Sequence, residues 1–343
     1  MTRKVTIALD VMGGDHGPQT VLPAALATLE RDDSVRFTLV GLPEVLEQAQ
    51  RDSKGVYGSR LGFLPATEVV EMDEPPADAL RRKKNSSLRL VIEQVKSGEA
   101  DACVSSGNTG ALMATARYVL KMLPGIDRPA IIAAVPTLRG RSFMLDLGAN
   151  VGCSADHLLQ FAIMGSVVAG DMLDINNASV GLLNIGQEDI KGNEVVREAG
   201  ELLSHSGLNY VGFVEGDAVF RGVADVIVSD GFVGNVALKT MEGVASLIAS
   251  YLREEFEKSG LRKLQGLAAA PTLAALRSRL DARRYNGASL VGLNGVVIKS
   301  HGGADKLAFE TAINIAIVEA RKGVPVQIGK LIEDQPEACI RAL

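Results

Sequence analysis

The chain of 343 residues carries 36 Lys and Arg against 41 Asp and Glu, a net charge of -5, with 47% hydrophobic residues and no tryptophan. That length holds one large or two medium domains with a sizeable core, and the apolar share excludes a disordered chain. The acidic balance lacks the basic excess with which proteins grip nucleic acid, so no nucleic-acid partner is expected.

From the N-terminus, short β-branched runs predict strands at 5 to 10, 35 to 40, 101 to 104, 130 to 135, 142 to 146, 179 to 184, 211 to 214, 225 to 228 and 295 to 299. Helical spacing between them predicts helices at 18 to 31, 77 to 97, 109 to 121, 156 to 173, 193 to 205, 233 to 258 and 304 to 322. This alternation is that of βαβ units, hence an α/β fold with a largely parallel sheet. No Pro-rich or Ser-rich linker interrupts it, which predicts a single two-lobed unit over 1 to 343. Residues 258 to 284 depart from the rhythm: leucines recur at helical spacing around Pro271, expected to break the segment into a protruding hairpin of two short helices. Seven basic residues there, Arg262, Lys263 and Arg277 among them, face only Asp281, a local excess of +6. An apolar stripe with basic flanks suits either an anionic membrane surface or a dimer contact.

Three widely spaced cysteines, Cys103, Cys153 and Cys339, fit a reducing compartment. A strand-like start and the lack of an apolar segment of signal or spanning length predict a cytoplasmic location without a membrane span.

Six predicted strands run into glycine-rich turns: Asp10 to Asp15, Ser105 to Gly110, Asp146 to Asn150, Asn184 to Glu188, Ser229 to Asn235 and His301 to Asp305. In a parallel sheet such turns gather at the carboxyl edge, where backbone amides and helix N-termini hold anions. One such turn is weak evidence, whereas six that each carry Ser, Asn, Asp or His point to a phosphate-like ligand. The Walker pattern, the dinucleotide Gly-x-Gly and the Gly-x-Ser-x-Gly elbow are all missing, which argues against ATP, NAD and a covalent serine. Cys153 and His157 at helical spacing lack further Cys or His partners, so no metal is expected.

Read in order, these segments resemble the bacterial phosphate acyltransferases of phospholipid synthesis over essentially the whole chain. The resemblance is carried by Asp10-Val11-Met12-Gly13-Gly14-Asp15, Ser105-Ser106-Gly107-Asn108-Thr109-Gly110, Leu145-Asp146-Leu147-Gly148-Ala149-Asn150, Asn184-Ile185-Gly186 with Lys191-Gly192-Asn193, Ser229-Asp230-Gly231-Phe232-Val233-Gly234-Asn235 and Lys299-Ser300-His301-Gly302. Gly152 and Asn85 stand where the family more often has Asp. The resemblance implies a homodimer with a three-layer α/β/α fold like that of isocitrate and isopropylmalate dehydrogenases. It implies acyl transfer from acyl carrier protein to inorganic phosphate without a cofactor, peripheral to the membrane that holds the downstream acyltransferase. A phosphotransacetylase using short acyl-CoA and a membrane-associated scaffold are the alternatives. On this reading Lys191, Asn193, Asn235 and His301 are the expected catalytic residues. Asp10, Gly13, Gly14, Ser106, Gly107, Asn108, Thr109, Asp146, Asn150, Asp230, Gly231, Lys239 and Gly302 are expected to bind substrate. Arg81, Arg82, Arg262, Lys263 and Arg277 are expected to meet the acidic carrier protein or the membrane.

Overall fold

The computed structural model describes residues 3–53 and 55–335. Its strands are β1 (Val5–Asp10), β2 (Val35–Gly41), β3 (Leu61–Pro65), β4 (Ala102–Ser105), β5 (Ala130–Thr137), β6 (Gly140–Leu145), β7 (Ser179–Leu183), β8 (Asn209–Val214), β9 (Val226–Val228), β10 (Ala288–Val291) and β11 (Val296–Lys299). They form one sheet in the order 3-2-1-4-11-10-5-6-9-7-8. The helices are α1 (Pro18–Arg31), α2 (Pro43–Ser53), α3 (Pro76–Arg82), α4 (Ser87–Ser97), α5 (Thr109–Leu120), α6 (Ala155–Leu173), α7 (Glu194–His205), α8 (Gly216–Val219), α9 (Gly231–Glu257), α10 (Gly260–Leu280), α11 (Lys306–Lys322) and α12 (Val324–Glu333).

Helices cover both faces, which is why the central strands read as nearly continuous apolar runs. Ile7, Leu9, Val104 and Ile298 point to the face packed by α1, α2 and α11. Farther along that face, α6, α7 and α12 bury Phe143, Leu145, Val180 and Val226. Ala8, Cys103 and Val297, one step away on the same strands, point to the opposite face under α3, α4 and α5. This is the three-layer arrangement expected.

Strand direction is not uniform. β3, β2, β1, β4 and β11 run parallel to one another. β10 is antiparallel to both β11 and β5, and β6 is antiparallel to β5. β6, β9, β7 and β8 are again mutually parallel but point opposite to the first set. The sheet therefore has two carboxyl edges, at opposite ends of the strands. The expectation that all six glycine turns share one rim is incorrect, and the cause is the β5–β6 hairpin, which turns at Leu138 and Arg139.

Other departures are local. The helix expected at 77 to 97 is two, α3 and α4, divided where the Lys83 ammonium turns in to Glu74 and the Val69 carbonyl. α2, α12, β3 and β10 were not anticipated. Pro271 does not break its helix: α10 runs unbroken through it and pairs along α9, so the hairpin joins α9 to α10 around Lys258 and Ser259. Proline removes a single N–H from the ladder, and α10 is exposed here, so the freed carbonyl faces solvent. Of α9, Gly231 and Gly234 alone among the described residues are buried, while Val244, Leu247, Ile248, Tyr251, Leu261, Leu264 and Leu267 stand exposed on the hairpin. By length and composition α9 also reaches the hydropathy of a bilayer-crossing helix, with a window mean of 1.2.

Candidate functional site: two glycine-lined rims

The first rim lies at the carboxyl ends of β1, β4 and β11. The chain leaves β1 for β2 on one side and returns to β4 on the other, the topological switch at which open α/β sheets form a crevice. Asp10 ends β1 wholly buried. Its carboxylate accepts from Ser105 Oγ at 2.6 Å and from the Met12 amide at 3.2 Å. Burial pushes the Asp10 carboxyl up, opposed by those bonds and by Ser87. Ser106 Oγ donates to the Gly13 carbonyl at 2.8 Å, and the Asp15 amide to the Gly302 carbonyl at 2.9 Å, so the three turns are stitched to one another. A Cβ on Gly13 would meet the Gly107 nitrogen at 2.6 Å; one on Gly14, where φ is +84°, would meet the Gly302 oxygen at 2.7 Å. Only glycine permits that approach.

What this rim offers is N–H groups. The amides of Gly14 and Gly302 carry no hydrogen bond among the described residues, and those of Thr109 and Gly110 open α5 without partners, as the first turn of a helix must. His301 adds a side chain. Its Nδ1 accepts from the Gly303 amide at 3.1 Å, which places the proton of the neutral ring on Nε2, and the ring is exposed. The Asn108 side chain does not serve as a donor to ligand. Its Oδ1 caps α5 at the Ala111 amide, and its Nδ2 donates to the carbonyls of Glu71, Met72 and Glu74, drawing that segment over the rim. Sequence reasoning missed Lys299. It is 8% exposed at the end of β11, donates to the Ser106 and Ser300 carbonyls, and is lowered by burial to about 8 although Asp10 and Asp15 pull it up. A lysine closing a strand that pairs on both sides was the available signal.

The second rim gathers Asp146, Asn150, Asp230, Gly231 and Asn235 at the ends of β6 and β9. Asp146 is fully buried and saturated. It accepts from the amides of Ile131, Gly148, Ala149 and Asn150 and from the Asn150 side chain, at 2.7 to 3.2 Å. It is a turn staple, with no lone pair left for substrate. Asp230 caps α9 through the Phe232 and Val233 amides, and Asn193 caps α7 through the Val196 amide. Asn235 is exposed beside Gly148. Lys191, next along the same edge after β7, is exposed, in a loop tied by the Asn184 side chain to the Lys191 carbonyl. The rims are separated by a strand length, about 15–20 Å, too far for one phosphate to touch Lys191, Asn193 or Asn235 and also His301 within one chain.

The remaining expected contacts are peripheral. Lys239 is exposed on α9 and pairs with Glu242 at 2.8 Å. Arg81 and Arg82 are exposed at the end of α3, which packs on α5 close to the first rim. Arg262 pairs with Glu255 across the hairpin, and Lys263 is exposed. The side chain of Arg277, and Cys339, lie outside the described residues. Cys103 is buried and Cys153 half-buried, both as free thiols. No cluster of three or more metal-ligating side chains occurs among the described residues.

A model of the fatty acid synthesis protein family matches residues 5–327. Over 333 residues the chain is 60% identical to a phosphate acyltransferase of Alkalilimnicola ehrlichii, covering 97% of each chain. A phosphate acyltransferase of Nitrosococcus oceani is 60% identical over 329 residues, 96% of this chain and 97% of that one. Among solved structures, a phosphotransacetylase from Streptococcus pyogenes superposes with a TM-score of 0.61 at 18% identity, covering 92% of this chain and 94% of that one. A 4-hydroxythreonine-4-phosphate dehydrogenase from Burkholderia phymatum does so with a TM-score of 0.51 at 15% identity, covering 92% and 98%. At those identities the structures speak for the fold alone.

Proposed function

The chain belongs to the fatty acid synthesis protein family, as a phosphate acyltransferase, and from that premise we propose that it moves a long-chain fatty acyl group from acyl carrier protein to inorganic phosphate. The product on this reading is an acyl phosphate for phosphatidic acid synthesis. The observation that carries the site assignment is the convergence of three glycine turns on the β1–β4 switch point, with the amides of Gly14, Thr109, Gly110 and Gly302 unpaired among the described residues.

Phosphate docks on those amides and the N-terminus of α5, which favours its dianion. His301 Nε2–H donates to the same anion or to the oxygen that becomes negative as phosphate attacks the thioester carbonyl. One such donor is typically worth about 2.7–4 kcal/mol. No strong base is required, because inorganic phosphate, whose second pKa is about 7, roughly a unit above the value of about 6 for its esters, is already about half dianion near neutrality, and a thiolate of pKa about 8.5 departs with little acid help. Catalysis is then positioning and anion binding, with no covalent enzyme intermediate.

Lys191, Asn193 and Asn235 reach this chemistry in a homodimer, where the second rim of one copy closes on the first rim of the other. Two observations support that arrangement: the family's motifs are split between opposite edges of one sheet, and the apolar α9–α10 hairpin springs from the second rim uncovered. Arg81 and Arg82 flank the crevice where the acidic carrier protein would dock. Leu261, Leu264 and Leu267, with Arg262 and Lys263, rest on the anionic cytoplasmic membrane face near the downstream acyltransferase. Incubation with long-chain acyl carrier protein, acetyl-CoA and phosphate tests the activity. Thiol release and acyl phosphate from the carrier protein are expected. Turnover of acetyl-CoA alone would make it a phosphotransacetylase, and no turnover of either would leave a scaffold.

A further inference from the structure

Asp10, Ser105 and Lys299 stand side by side on β1, β4 and β11. Lys299 is in register with Ser105, and Leu9 with Val104, so the three side chains project from the same face as Ala8, Cys103 and Val297. The Lys299 ammonium donates to the carbonyls of Ser106 and Ser300, which belong to two turns far apart in the chain. A peptide unit is planar, so a fixed carbonyl fixes the amide that follows it. The Gly107 amide is thereby held to Ser105 Oγ at 3.0 Å and the His301 amide to Asn286 Oδ1 at 2.9 Å. An ammonium has three donors, and two are committed here. Among the described residues it forms no ion pair with Asp10 or Asp15, so its charge is buried without a contact partner, an arrangement that is costly unless an anion completes it.

We propose that Lys299 is a positioning residue for phosphate, clamping the β4–α5 and β11–α11 turns together beneath the crevice and setting a positive charge under the bound dianion. This rests on the reading that phosphate occupies the first rim. The ionisable groups facing Lys299 are Asp10 from β1 and Asp15 from the following turn. Cys103 lies one step down β4, and the neighbouring β10 carries no ionisable side chain. The charged form is the working form. Phosphate affinity therefore holds at neutral pH and weakens as the medium rises through about 8, where Lys299 loses its proton.

Phosphate-saturation kinetics of the full chain across that range test the role. Lys299→Met is expected to raise the KM for phosphate by about tenfold or more, the equivalent of one lost charge-assisted contact, with kcat changed far less. It should also abolish the alkaline rise in KM seen in the parent, while Lys299→Arg recovers part of the loss. Where Lys299→Met fails to fold, Lys299→Gln, which keeps two donors and loses the charge, carries the same test. An unchanged phosphate KM and pH course in a folded variant, or a loss confined to kcat, overturns the proposal. Gly14→Ala separates the two levels: a raised KM there but not at Lys299 removes only the lysine's role, whereas no change in either removes the crevice as the phosphate site.

Discussion

Ser105 Oγ donates a buried 2.6 Å hydrogen bond to Asp10 Oδ2, joining residues 95 positions apart on β1 and β4. That bond draws the two following turns into backbone contact, and the close approach then demands glycine at 13 and 14. Alanine at Gly14 would need a left-handed backbone and would press on the Gly302 oxygen and Ser106 Oγ, both at 2.7 Å. Gly14→Ala is expected to lower kcat/KM for phosphate by about a hundredfold or more, from displaced amides. Stopped-time assays at varied phosphate check it.

Much of this was legible in the amino-acid order. The runs Val5 to Asp10 and Ala102 to Ser105 are apolar on both faces because helices cover both, and the turns after them announce themselves by glycine. Direction was not read, although a signal existed. The strands predicted at 130 to 135 and 142 to 146 are too close for a helical crossover, so they had to be antiparallel, and β7, β8 and β9, which follow in parallel with β6, point the other way until β11 returns to the first direction. Asp146, Asp230 and Asn193 looked like ligands because a cap or a turn staple and a binding residue share one chemistry; only their hydrogen bonds tell them apart. Lys299 hid because a lysine at a strand end normally reads as surface.

Glu319 gives a pH-dependent stability. It is buried on α11 against β10, hydrogen-bonded by Ser289 Oγ, and burial with the nearby Asp171 raises it to about 7. A carboxyl raised on folding favours the native state fully below its unfolded value near 4.5, and that contribution is lost as pH rises through about 7. Glu319→Gln, which still accepts from Ser289, is expected to exceed the parent in stability at pH 8 by up to about 3 kcal/mol. The gap should close toward pH 4.5. Urea unfolding at several pH values measures it.

Shared sites predict complementation. If the rims act across two copies, His301→Ala and Asn235→Ala chains are each impaired, yet refolding them together restores about a quarter of the parental sites by random pairing. No gain on mixing would return both residues to separate roles.

The hairpin predicts membrane behaviour. Parent protein should co-sediment with anionic vesicles and be released by salt, and a Leu264→Glu, Leu267→Glu chain should stay in solution. Equal partitioning of the two would assign those leucines to a protein contact.

Crystals soaked in orthophosphate measure the central assignment most directly. Density bridging the Gly14, Thr109 and Gly302 amides within hydrogen-bond distance of His301 Nε2 is the result expected. An anion bound only at the Asn184–Asn193 loop, with the β1–β4 crevice empty, would contradict it.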